Sequence, residues 1–235
     1  MLLYIIRHGD PDYTTDTLTE RGWAQAEAVG KRMAASGIDR VFSSPMGRAK
    51  QTAEPTCRLL GLDYTIEEWS HEIGDEHRLT PYPDGNLKSV SLVDRVDLRR
   101  DGAIDLDYAH AFEAPGFSES NMADALDKIS AGARDFLERL GYKEEDGVYR
   151  ITEPNDDKVA LFCHAGLGRI LIAYLLHIPL HLMWAGFNYN HTGVTVIEFR
   201  NQKSGFTVPR MLCYSDTSHL YAHGPDMRYC GRFEI

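Results

Sequence analysis

Three short apolar runs in this chain stop abruptly on a charged or ionisable group, and each hands over to a segment of helical spacing. Tyr4-Ile5-Ile6 stops at Arg7, His8 and Gly9. The stretch DRVFSS, residues 39–44, stops before Pro45, with Arg48 close behind. Val159 to Cys163 stops at His164. Short β-branched and aromatic runs closed by Gly, Asp and Pro read as buried strands. The intervening TLTERGWAQAEAVGKRMAASG has Thr19 as an N-cap and Gly37 as a stop. Ser44-Pro45 supplies an N-cap and a first-turn proline for a helix to about Leu60, and Ala165 to Leu176 reads as a third helix. This alternation predicts an α/β fold, a three-layer α/β/α sandwich around a mostly parallel sheet.

The rest of the chain fills in that frame. LDYTIEEW reads as a further strand, after which the character changes at Glu72 and Ile73. From about Gly74 to Gly116 the chain is rich in Pro, Gly, Asp and Arg, with a short helical segment around Leu87 to Arg99. Ser118 opens an amphipathic helix in which Met122, Leu126, Ile129, Ala133, Phe136, Leu137 and Leu140 recur at helical spacing, ending at Gly141. Val148 to Lys158 includes a polar loop, and TGVTVIEF and FTVPRMLCYS form a hairpin through Asn201 to Gly205. A chain of 235 residues fits a single domain, 1–235, with a partly helical insertion at about 74–150.

Composition narrows the partners. With 35 acidic against 25 basic residues the net charge is −10, which argues against nucleic acid or an anionic membrane as partner. No apolar stretch approaches the ~20 residues of a membrane span, and the N-terminus lacks the flanks of a signal peptide. Four scattered cysteines read as reduced thiols, so a cytoplasmic location is expected. Cys163 precedes His164, but neighbours on a strand face opposite ways and do not act together.

The ends of parallel strands are where open α/β folds place ligands, and helix N-termini there carry partial positive charge. Arg7, His8, Arg48 and His164 would converge at one such edge. Arginine suits phosphate through charge-assisted bidentate bonds. A net-acidic chain with one such cluster is built to hold a small anion locally.

These stretches resemble the histidine phosphatase superfamily. Arg7-His8-Gly9 matches its signature triplet, LTERGWAQA its L-T-x-x-G-x-x-Q-A helix, SSPMGRAKQTA its S-P-x-x-R-A-x-Q-T-A segment, and FCHAGLGRILIAYLLHIP the segment carrying its second histidine. The resemblance covers roughly residues 1–72 and 157–220. It implies that His8 is the nucleophile and that Arg7, Arg48 and His164 form the phosphate pocket, with no metal and no cofactor. It also implies a carboxylic acid after the third strand. Glu72 takes that position, with Glu67, Glu68, Asp75 and Glu76 nearby.

Mutases of the superfamily have a longer segment between the first two motifs, where this chain has only DPDYTTDT. The resemblance therefore favours hydrolysis of a small phosphorylated metabolite over phosphoglycerate mutase-type transfer or a non-catalytic phospholigand-binding module. Substrate and oligomeric state stay open. The insertion aromatics Tyr82, Tyr108, His110, Phe112 and Phe117 offer enough surface to cover a pocket mouth, and read rather as a packed satellite core. Asp94, Asp97, Asp101, Asp105 and Asp107 read as a solvated face. His219 is expected to be structural.

Overall fold

Strand β1 (Leu2–Arg7) is buried on both faces, as a central strand between two helical layers must be. In the computed structural model, which describes residues 1–73, 95–118, 120–224 and Met227, its side chains alternate between two cores. Leu3 and Ile5 face one, Tyr4 and Ile6 the other. After β1 a small hairpin, β2 (Pro11–Asp12) and β3 (Thr17–Leu18), leads into α1 (Glu20–Ser36). The chain continues through β4 (Arg40–Ser43), α2 (Gly47–Leu60) and β5 (Tyr64–Ile66). Next come α3 (Met122–Arg139), the hairpin β6 (Tyr142–Glu145) and β7 (Val148–Ile151), β8 (Lys158–Cys163) and α4 (Ala165–Leu176). The fold closes with α5 (Leu180–Gly186), β9 (Val194–Glu198), β10 (Phe206–Thr207) and β11 (Arg210–Asp216).

The main sheet has the order β11-β9-β1-β8-β4-β5. β1, β8, β4 and β5 run parallel, and β9 runs against its neighbours β1 and β11. The second central strand, β8, repeats the alternation of β1: Val159, Leu161 and Cys163 join the core under α3, α4 and α5, while Ala160 and Phe162 join the one under α1 and α2. This is the expected three-layer α/β/α architecture. Among the described residues, no helix is long and apolar enough to cross a membrane.

Thr19 caps α1, accepting the Gly22 N–H at 3.0 Å, and Gly37 ends it at φ 69°. Four local expectations need correction. α2 starts at Gly47, with Met46 at the N-cap position; the Ser44 hydroxyl accepts the Met46 N–H at 3.3 Å, one turn ahead of the helix. α3 starts at Met122 rather than Ser118, whose N–H closes a turn onto the Ala114 carbonyl at 3.0 Å. Phe206–Thr207 pairs with β7 instead of extending the β9–β11 hairpin, since Pro209 has no N–H to continue one ladder. Val148–Ile151 is the second strand of a hairpin, not part of a loop. Asp146 (φ 50°) and Gly147 (φ 80°) form the tight turn that an Asp-Gly pair favours.

Between β5 and α3, Phe117 is buried and packs against Phe112 and Trp184, and Tyr108 packs against His177. Asp97 and Asp101 pair with Arg100, and Asp107 pairs with His110. Residues 95–99 of the short helical segment form turns. Its remainder, Tyr82, Asp75, Glu76 and Asp94 lie outside the described residues.

Candidate active site

Register decides what meets at the carboxyl edge of the sheet. Arg7 lies opposite Cys163, and Ser43 opposite Phe162. The residues one step beyond are bonded across the edge: the His8 N–H donates to the Cys163 carbonyl at 2.9 Å and the Ser44 N–H to the Phe162 carbonyl at 2.9 Å. His8 and His164 are both buried, their rings 5.2 Å apart.

His8 Nδ1 stands 2.7 Å from the Gly9 carbonyl. A carbonyl only accepts, so the ring proton is on Nδ1, and Nε2 carries the lone pair. Burial, then the charges of Arg7, His164, Arg48 and His191, hold His8 well below its ordinary value of 6.5. His8 is therefore a neutral imidazole at pH 7. His164 is held down too, by burial first and then by Arg48, His71 and Arg7.

His164 Nε2 is 2.7 Å from Ser44 Oγ, which accepts the Met46 N–H at 3.3 Å. Among the described residues His164 Nε2 is the acceptor within reach of the Ser44 hydroxyl proton, so the tautomer that satisfies both groups leaves the ring proton of His164 on Nδ1. That atom is buried and without a partner among the described residues, as is Arg48 Nε. Buried donors left unsatisfied are costly and call for an acceptor.

The two arginines are held from opposite sides. Arg7 donates through Nη1 to the Tyr189 carbonyl. Arg48, in the first turn of α2, pairs with Asp16, whose second oxygen accepts the Gly47 N–H at 2.6 Å. The short hairpin after β1 thus places a carboxylate on Arg48. At Gly9 a Cβ would meet the Gly22 carbonyl oxygen at 2.7 Å, so the missing side chain lets α1 approach.

Glu72 reaches the N-terminus of α4, the helix that follows His164. Oε1 accepts the Ile73 and Leu167 N–H groups at 3.0 Å each, and Oε2 the Gly166 N–H at 3.2 Å. Of its acidic neighbours, Glu67 is buried and bound to Arg139 and the Trp69 indole, while Glu68 is exposed on a short helical turn. A cleft bordered by Trp69, His71, Glu72, Ile73 and Ile129 opens beside it.

Gly166 makes this approach feasible. A Cβ there would stand 2.5 Å from Ile73 Cγ1 and 2.8 Å from Glu72 Oε1. Gly166→Ala is expected to destabilise the protein by about 1–3 kcal/mol, the usual cost of overpacking, seen as a lower Tm. An unchanged Tm would show that Ile73 and Glu72 yield without cost.

A fourth segment was not anticipated. Residues 189–193, which lead into β9, wrap the end of β1: the Arg7 N–H donates to the Gly193 carbonyl at 3.3 Å and the Thr192 N–H to the His8 carbonyl at 3.2 Å. The Tyr189 hydroxyl donates to the Ile5 carbonyl at 2.8 Å. His191 packs its ring 5.6 Å from that of His8. His219 braces this turn from behind through Thr192 Oγ1 at 3.0 Å, and burial with Arg32 lowers its pKa to about 4. Cys163 points into the core under α4, and burial pushes its thiol up, so it is no nucleophile.

The family model for the histidine phosphatase superfamily (branch 1) matches residues 3–77 and 123–210. The chain belongs to that superfamily. Among curated relatives, the probable phosphoglycerate mutase GpmB of Salmonella arizonae and that of Salmonella newport are each 32% identical over 80 residues. The match covers 30% of this chain and 37% of the relative, so it spans little more than a third of these proteins. Solved phosphatase structures share the fold over nearly the whole chain. Phosphoserine phosphatase of Entamoeba histolytica in complex with 3-phosphoglyceric acid has a TM-score of 0.59 at 19% identity, covering 93% of this chain and 98% of that one. Mycobacterial glucosyl-3-phosphoglycerate phosphatase with inorganic phosphate has a TM-score of 0.61 at 20% identity, with coverage of 93% and 98%.

Proposed function

We propose that this histidine phosphatase hydrolyses a small phosphomonoester through a phosphohistidine on His8, without a metal or cofactor. The observation that carries this reading is the neutral, tautomerically fixed His8 beside two arginines and the buried unpartnered donors Arg48 Nε and His164 Nδ1. Nε2 of His8 attacks phosphorus in line, and the bond from phosphorus to the ester oxygen breaks. The departing oxygen takes a proton from Glu72. Water then attacks the phosphoryl group, gives a proton back to Glu72, and the P–N bonding pair returns to His8. Arg7, Arg48 and His164 Nδ1–H hold the three peripheral oxygens, which carry the developing charge.

Phosphatase structures of this fold bind phosphoserine, 3-phosphoglycerate and phosphate, which supports a small phosphorylated substrate. The mutase relatives support a second reading, phosphoryl transfer between positions of a metabolite. A screen of phosphorylated metabolites separates the two. Hydrolysis releases inorganic phosphate in step with substrate loss; a mutase yields an isomeric monoester instead. Turnover is expected to be unchanged, within about twofold, after dialysis against EDTA, because fixed guanidinium groups supply the positive charge. A rate that falls with chelator and returns with a divalent ion would overturn the metal-free mechanism.

A further inference from the structure

His191 is absent from the strand-end motifs, yet among the described residues it is one of two imidazoles that pack against His8. It is nearly fully buried, its ring lies 5.6 Å from the His8 ring at an interplanar angle of 37°, and its Nδ1 is 3.4 Å from Asp10 Oδ1. Asp10 is itself fixed: its other carboxylate oxygen accepts the Thr19 hydroxyl at 2.8 Å and its N–H donates to Gln25 Oε1 at 2.8 Å. The next residue, Thr192, sits at φ 51°, a conformation uncommon for a β-branched side chain, and its N–H holds the His8 carbonyl. One strained turn thus delivers both a backbone bond and a ring to the nucleophile.

We propose that His191, tethered by Asp10, is a positioning residue for His8, holding the nucleophilic ring in its attacking orientation. The proposal deepens the phosphatase reading and rests on His8 being the nucleophile. Two contacts already fix the His8 backbone and its tautomer, but neither prevents the ring from tilting. The ring of His191, tilted against that of His8, does so, and it adds a second effect. The groups facing His8 are Arg7 from β1, Arg48 from α2, His164 after β8 and His191 before β9. All four disfavour a charged His8. Removing His191 takes away one of the four, so the His8 pKa should rise while the fold persists.

The test pairs His191→Phe, which keeps an aromatic face, with His191→Ala, which removes it. NMR titration of the His8 Cε1–H resonance needs no substrate. Both variants should titrate at higher pH than the parent protein. With p-nitrophenyl phosphate, kcat should fall by up to about 10²-fold in His191→Ala, the scale of a misplaced reacting group, and by less in His191→Phe, with KM nearly unchanged. An unmoved His8 titration together with kcat within twofold of the parent in both variants overturns the proposal. A parent protein that binds phosphate but turns nothing over would instead remove the phosphatase reading, while a shifted His8 titration in the variants would still support the role of His191. Where His191→Ala fails to fold, His191→Phe carries the same readouts.

Discussion

His8→Ala is expected to abolish turnover, by about 10³-fold or more, while leaving a folded protein. The loss is large because the other strand-end groups offer no free nitrogen lone pair: His164 Nε2 is committed to Ser44, and the arginines never deprotonate. The stability change should be small despite the burial of His8. Truncation removes one hydrogen bond, to the Gly9 carbonyl, worth about 1 kcal/mol, and the space left is polar and can take water. A Tm shift of a few degrees follows for a domain of this size. The parent enzyme quenched in alkali during turnover should carry phosphate on nitrogen, stable there and lost in acid. Retained activity in the variant would end the covalent mechanism. His8 also sets a pH signature. Its folded pKa lies below the unfolded value of 6.5, so the unfolded chain binds the extra proton first as pH falls. Stability is thus fully present above about pH 6.5 and declines below it, and His8→Ala should lose less of its stability in acid than the parent.

The residues that the sequence marks at strand ends are brought together because parallel strands all point their carboxyl ends the same way. Arg7, His8 and His164 follow from that geometry alone, and Arg48 from the helix that β4 feeds. The same rule explains why His191 escaped notice. β9 is antiparallel, so its beginning, not its end, lies at the active edge. A histidine preceding a strand carries no signal until the direction of that strand is known. Asp16 was hidden for another reason: it reaches Arg48 across a two-strand hairpin too short to register as periodicity. The polar strands β6 and β7 were obscured by a run of charges, although Asp146-Gly147 is a turn signal that marks their hairpin. His8 is buried at its strand end because the segment from Tyr189 to Gly193 folds over it.

Glu72 is the assignment on which a substrate choice has the most leverage, because a general acid matters only when the leaving oxygen is a poor one. Nitrophenolate departs without a proton, whereas a sugar or glycerate alkoxide does not. The geometry around Glu72 limits where such a proton can sit. Three backbone N–H groups occupy three of its roughly four acceptor positions, two on Oε1 and one on Oε2, which leaves Oε2 as the oxygen with room for a proton. Glu72→Gln keeps the volume and the two bonds at Oε1 but turns an amide N–H toward the Gly166 N–H, at the cost of one cap bond, about 1 kcal/mol. Turnover of an alkyl phosphate should fall by roughly 10²-fold or more, the ordinary range for a general acid, and that of an aryl phosphate far less. Equal losses on both substrates would make Glu72 a cap that only positions α4 and His164. No loss on either would move the proton to another carboxylate. Glu67 is a poor replacement, since Arg139 and Trp69 already bind both its oxygens, so Glu68 and Asp75 would be tested next on the same pair of substrates.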